Sequence, residues 1–271
     1  MIKRKPPYPF QTIALAVSFS PGLKYLVAEM RRLCDLHKSV AVFIHVGKKT
    51  GDKQREFSFL LSENGFHDGN SRIYWENDDV TNCILRICKH EVVDLLVCGA
   101  SERENFNMPA GSTAWDLATR AKCSVLIYSG QPPGLFNKIV VNGIEHNKTD
   151  LTLLTALYFA EKEKSPALFV VEENDGNNYS GDRPLVSNDS MTVREAIEKS
   201  NIILNQFTLS GENCATLSEF AFKNNADLLV TYSSDHKLLI FDRIANKNGI
   251  EALLKDLSCN LLVVHSRLPE Q

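Results

Sequence analysis

The 271-residue sequence has no apolar run approaching the roughly 20 residues that span a bilayer. Nothing in it reads as a transmembrane helix. It has no Cys-x-x-Cys pair, although it holds seven cysteines (Cys34, Cys83, Cys88, Cys98, Cys123, Cys214 and Cys259), so zinc sites and dithiol motifs find no support. No Gly-x-Ser-x-Gly elbow, no Gly-x4-Gly-Lys-Ser/Thr loop and no His-Glu-x-x-His segment occurs. An excess of positive charge is also missing. The formal net charge is −3 and the pI near 6.2, which argues against a nucleic-acid partner, since such affinity usually comes from a basic surface. The start, Met1-Ile-Lys-Arg-Lys-Pro-Pro, is basic but lacks the apolar core of a signal peptide.

What is present is the composition of a globular protein, 44% hydrophobic and 23% charged, with a length that suggests about two domains. Several cysteines sit inside apolar runs, where a reduced thiol behaves as a small hydrophobe. A reducing cytoplasmic compartment fits this usage, with no disulfide needed for folding.

Taken in order, residues 1–9 are kept from a helix by Pro6, Pro7 and Pro9. Thr12 to Val17 reads as a buried strand. Pro21 suits a helix start, and Leu23 to His37 has helical spacing. Val40 to Val46 is a second strand, Lys48 to Lys53 a charged turn, and Gln54 to Asn64 a helix closed by Gly65. Arg72 to Trp75 is a short strand. Asp78-Asp79 opens a helix through about Lys89. The run Val92 to Cys98 reads as a strand buried on both faces, ending at Gly99. Gly111-Ser112-Thr113 then opens a helix, and Cys123-Ser-Val-Leu-Ile-Tyr128 is a last strand. Strands alternating with helices imply a parallel sheet with right-handed crossovers.

The pattern then recurs. Phe10-Gln-Thr-Ile13 is answered by Phe136-Asn-Lys-Ile139, and Val42-Phe43 by Leu168-Phe169, each 126 residues on. Asp94-Leu-Leu-Val97 recurs 133 residues on as Asp227-Leu-Leu-Val230, and Cys123-Ser-Val-Leu-Ile 136 residues on as Cys259-Asn-Leu-Leu-Val. Four matches in the same order indicate a duplication. The expected domains are 1–130 and 136–271, joined through the linker around Pro132-Pro133. The second copy carries a polar insert, Glu172 to Ser190, read as a loop.

A strand, a glycine at each end of a loop and a helix N-terminus form a candidate phosphate cradle, because free backbone N–H groups and the helix dipole attract anions. Short glycine motifs also match by accident, and an ordinary strand–loop–helix joint is the alternative reading.

As a whole pattern the chain resembles a tandem universal stress protein. Val17-Ser18-Phe19-Ser20 matches the turn after the family's first strand, and His45-Val46 the ending of its second. Gly99 through Gly111-Ser112 resembles the nucleotide loop Gly-x-x-Gly-x9-Gly-Ser/Thr, and Cys123-Ser-Val-Leu-Ile the last strand. The chain departs from the family at Ser18, which stands where an Asp is usual, and at Glu102, which replaces the second glycine of a loop one residue short. In the second copy, Tyr232-Ser-Ser-Asp235 and Lys247-Asn248-Gly249 replace both glycine positions.

The resemblance implies two Rossmann-like (adenine nucleotide alpha hydrolase-like) α/β units, each a five-stranded parallel sheet of order 3-2-1-4-5. It implies a non-catalytic stress-response protein with an adenine nucleotide, ATP or AMP, in the first unit and none in the second. The base would lie near Ala16, Val17, Ser18 and Val46, and the phosphates near Gly99, Ala100, Ser101, Gly111, Ser112 and Thr113; no metal is required. A carboxylate at Glu102 would repel phosphates. The alternative is a ligand-free regulatory scaffold, for instance part of a transport system. The two units would pair through Val125 to Tyr128 and Leu261 to Val264 as an intramolecular pseudo-dimer, a homodimer being a further option. Ser233, Ser234, Asp235 and His236 read as a polar loop rather than a triad. His45 reads as a core or strand-end histidine, Cys98 as a packed thiol, and Trp75 and Trp115 as core anchors.

Overall fold

The computed structural model describes residues 8–100, 113–129, 132–143, 149–165, 167–173, 191–209, 217–232 and 259–265. The chain divides into two compact units, 1–134 with 265–271, and 135–264.

In the first unit, β1 (Thr12–Val17), β2 (Val40–Val46), β3 (Ser71–Glu76), β4 (Leu95–Gly99) and β5 (Ser124–Tyr128) form a parallel sheet of order β3-β2-β1-β4-β5. The central strands are apolar on both faces because helices cover both: Ile13, Leu15, Val42, Phe43, Leu95 and Val97 are fully buried. The edge strand β3 stays half exposed. Helix α1 (Leu23–His37) turns Leu26, Met30, Leu33 and Cys34 to the core at three- and four-residue spacing. In α2 (Gly51–Glu63), Thr50 caps the start by accepting from the Lys53 N–H at 3.3 Å, so the helix begins three residues before the expected Gln54. Helix α3 (Val80–His90) is capped by Asp79, which accepts from the Asn82 N–H at 2.8 Å. Helix α4 spans Thr113–Arg120.

The second unit contains β6 (Lys138–Asn142), α5 (Thr149–Glu163), β7 (Ala167–Glu173), α6 (Met191–Lys199), β8 (Ile203–Leu209), α7 (Leu217–Lys223), β9 (Leu228–Tyr232) and β10 (Asn260–Val264). Its parallel strands run β8-β7-β6-β9-β10. In chain order this is again 3-2-1-4-5. Glu172 and Glu173 belong to β7 rather than to the polar insert, whose remainder, 174–190, lies outside the described residues.

The duplication extends to individual hydrogen bonds. The Ser39 hydroxyl donates to the Phe10 carbonyl, and Ser165 to Phe136. Asp94 accepts from the N–H groups of Gln11 and Thr12 and so ties the start of β4 to the start of β1. Asp227 does the same for β9 and β6, accepting from the Lys138 N–H at 2.9 Å. Helices end alike. Lys38 (φ 59°) and Lys164 (φ 57°) take the left-handed conformation, as do Val92 (φ 51°) and Asn225 (φ 49°). After each, an N–H reaches back to a carbonyl five residues earlier: Ser39 to Cys34, Ser165 to Ala160, Val93 to Cys88 and Ala226 to Ala221. Val92 therefore caps α3, exposed, and is not the first residue of the buried run; β4 begins at Leu95.

Candidate functional site

Ligands of open α/β sheets sit beyond the carboxyl ends of strands where the strand order reverses. In the first unit that place is between β1 and β4, because the chain runs outward from β1 to β2 and β3 and then returns to the other side of β1. Pairing sets Val17 opposite His45, and Leu15 opposite Val97, so Ala16, Val17, Ser18, Val46, Gly99 and Ala100 gather at one edge. Ala16, Val46, Gly99 and Ala100 are half-buried, Ser18 is exposed, and Val17 is buried. The Ala100 N–H donates to the Tyr128 carbonyl at 2.8 Å. Thr113 is exposed at the start of α4. Ser101, Glu102, Gly111, Ser112 and Lys247 lie outside the described residues, as do Ser233, Ser234, Asp235 and His236.

His45 joins β2 to β1 at this edge. Its Nδ1 lies 3.0 Å from the Val17 carbonyl. A carbonyl only accepts, so Nδ1 donates to it. Among the described residues, the buried Nε2 has no hydrogen-bond partner. Gly47 leaves room for the ring: a Cβ there would come within 3.2 Å of Nε2, and the residue sits at φ +147°. His45 is thus the strand-end histidine expected.

The segment after β1 and the ends of β2 and β3 bring Phe19, His45 and Trp75 together, a grouping that no local sequence pattern announces. The Phe19 ring meets His45 edge-on at 4.8 Å and stacks on Trp75 at 6.1 Å, while His45 meets Trp75 at 5.0 Å. The Lys53 ammonium lies 5.1 Å from the Phe19 ring and the Lys49 ammonium 5.6 Å from Trp75. Trp75 is therefore half-buried in an edge cluster rather than a core anchor. With Lys24 at the start of α1 and Lys48 before α2, four lysines stand at the carboxyl edge near β1 and β2, with Asp52 in the first turn of α2 and Glu76 at the end of β3. The N-termini of α1 and α2 add to the same field. Asp78 and Asp79 occupy the far side of the edge, after β3.

Gly99 has a packing reason to be glycine. A Cβ there would lie 3.1 Å from Cδ1 of Leu26 in α1. In the second unit the reversal falls between β6 and β9, and the amide of Asn142 donates to the Thr231 hydroxyl at 3.1 Å, both buried. The corresponding residues of the first unit are Ala16 and Cys98, which leave that rung apolar. Among the described residues no group of three or more His, Cys, Asp or Glu side chains could hold a metal, and no helix is long and apolar enough to cross a membrane.

Residues 67–129 match the model of the universal stress protein family. No curated protein matches the sequence. Among solved structures, a universal stress protein from Archaeoglobus fulgidus superposes with a TM-score of 0.65 at 13% identity, over 94% of this chain and 96% of the other. A Pseudomonas aeruginosa protein described as functionally unknown gives 0.64 at 15% identity, over 96% and 94%. The cytoplasmic domain of a prokaryotic cation chloride cotransporter gives 0.51 at 10% identity, over 96% and 97%. At these identities the likeness is one of fold. The segment 67–129, which holds β4, β5 and α4, carries the sequence of the universal stress protein family, and the α/β fold is the one seen in universal stress proteins.

Proposed function

We propose that the chain is a non-catalytic stress-response protein that binds an adenine nucleotide, ATP or AMP, at the carboxyl edge of β1, β2 and β4 in its first unit. The observation that carries this reading is the coincidence of three features at one edge: the reversal of strand order, the four lysines Lys24, Lys48, Lys49 and Lys53, and the start of the segment after Gly99 that lies within the family match. Anionic phosphates suit such an edge. Ala16 to Ser18 and Val46 would receive the nucleoside. Gly99 to Ser101 and Gly111 to Thr113 would meet the phosphates. The recurring hydrogen bonds support reading the second unit as a second copy of the same domain. The Asn142–Thr231 bond, together with Tyr232 and Lys247 in place of glycines, supports leaving it without a nucleotide.

One observation favours a second reading, a ligand-free scaffold. A Cβ at Gly99 would lie 3.1 Å from Leu26 Cδ1, a packing reason for glycine that involves no phosphate. Two measurements separate the readings: analysis of nucleotide released from the purified protein, and thermal unfolding with ATP or AMP at millimolar concentration. A ligand present at about a hundred times its Kd adds about 2.7 kcal/mol, which raises the melting temperature by several degrees. The sensor reading expects that rise. No rise and no released nucleotide would leave the scaffold.

A further inference from the structure

Two buried thiols of the first unit face each other. The Val93 N–H to Cys88 carbonyl bond, 2.9 Å, folds the end of α3 back against the lead into β4. On the other side, the Ser124 N–H donates to the Asp94 carbonyl at 3.2 Å, which brings Cys123 beside the same two residues. Cys88 and Cys123 therefore flank Val93 and Asp94. The Cys88 side chain and the Leu96 N–H both lie within hydrogen-bonding reach of the Cys123 sulfur. Both are free thiols, 6% and 5% exposed.

The second unit repeats this frame without the pair. The Ala226 N–H to Ala221 carbonyl bond occupies the place of Val93 to Cys88, and Asn260 to Asp227 that of Ser124 to Asp94. Cys259 thus corresponds to Cys123, with the Leu229 N–H on its sulfur as Leu96 is on that of Cys123. The partner position holds Ala221, which is buried. One frame, used twice, carries two thiols in one copy and a single thiol in the other.

We propose that Cys88 and Cys123 are a redox-modification site: a reversible disulfide that latches α3 to the start of β5 in the first unit only. The oxidant is a small hydroperoxide. One sulfur attacks the peroxide; a sulfur–oxygen bond forms, the oxygen–oxygen bond breaks, and an alcohol leaves with the thiol's proton. The neighbouring sulfur then attacks the sulfenic acid. A sulfur–sulfur bond forms, the sulfur–oxygen bond breaks, and water leaves. The pair loses two protons and two electrons, and the peroxide is reduced to alcohol and water. Burial makes the reaction slow, since the thiolate is the reactive form and an apolar setting disfavours it. The same burial favours the neighbour over any outside thiol in the second step.

The test treats the reduced full chain with tert-butyl hydroperoxide, blocks remaining thiols with N-ethylmaleimide, and maps peptides without reduction. The expected product is a crosslinked peptide pair joining Cys88 to Cys123, lighter by two hydrogens and separated again by dithiothreitol. Cys259 should be recovered unlinked. Cys123→Ser should remove the crosslink, and Cys259→Ser should leave it. The inference is overturned if the wild-type chain yields Cys88 and Cys123 unlinked after oxidation, as sulfinic acids, or joined to other cysteines. The wild-type map decides this without relying on the variants to fold.

Discussion

At the scale of single residues, Val92 holds the least favourable backbone among the described residues. It is a β-branched residue at φ 51° and 62% exposed. The equivalent in the second unit is Asn225, a residue that tolerates that conformation. Val92→Asn should therefore stabilise the first unit by about 1 kcal/mol. Denaturant unfolding checks this, and a loss of stability would show that the Val92 side chain makes a contact the cap needs. Gly47 and Gly99 illustrate the opposite case: a Cβ would crowd His45 at the first, which also sits at φ +147°, and Leu26 at the second.

At the scale of elements, the alternation of apolar runs and helical spacing was enough to place β1, α1 and β2 at the ends observed, because those stretches are buried with a clear period. It misplaced the start of α2, where a threonine cap outweighs the charge of Lys48 to Lys53. It also could not show that Asp94 and Asp227 are structural. Read along the chain they are acids at the head of apolar runs. In space they hold the N–H groups that open β1 and β6. Asp94→Ala should cost about 1 kcal/mol, since it strands two donors at a part-buried joint. Asp227→Ala should cost less, because that carboxylate is half exposed. Equal losses, or none, measured by chemical unfolding would contradict this account of the joints. The edge cluster of Phe19, His45 and Trp75 was illegible for the same reason: its members come from three separate strands or their ends.

At the scale of the whole molecule, buried acids set the response to alkali. Burial pushes the Cys34, Cys98 and Cys259 thiols up to about 12. The contact with Cys88, and then burial, raise Cys123, and burial raises Tyr128. Each folded value lies above the unfolded one. Stability is therefore fully present below the ordinary thiol value of 9.0 and falls as pH rises towards 12, because the unfolded chain loses protons first. The melting temperature should drop over that interval, and Cys98→Ala should drop less steeply than the parent. Parallel slopes would mean that this thiol stays accessible to base.

The duplicated architecture was legible in the sequence because the repeated segments are core strands, whose residues are constrained on both faces. The candidate site was legible only as an edge: pairing brings Ala16, Val17, Ser18, Val46, Gly99 and Ala100 together, while Ser101, Gly111 and Ser112 lie outside the described residues. Titration calorimetry with ATP and AMP on the parent chain, Gly111→Val and Lys247→Ala tests the proposed site most directly. The account predicts binding to the parent, its loss in Gly111→Val, where a side chain crowds the backbone approach to phosphate, and near-parental binding in Lys247→Ala. Binding that survives Gly111→Val but not Lys247→Ala would move the site to the second unit and contradict the account.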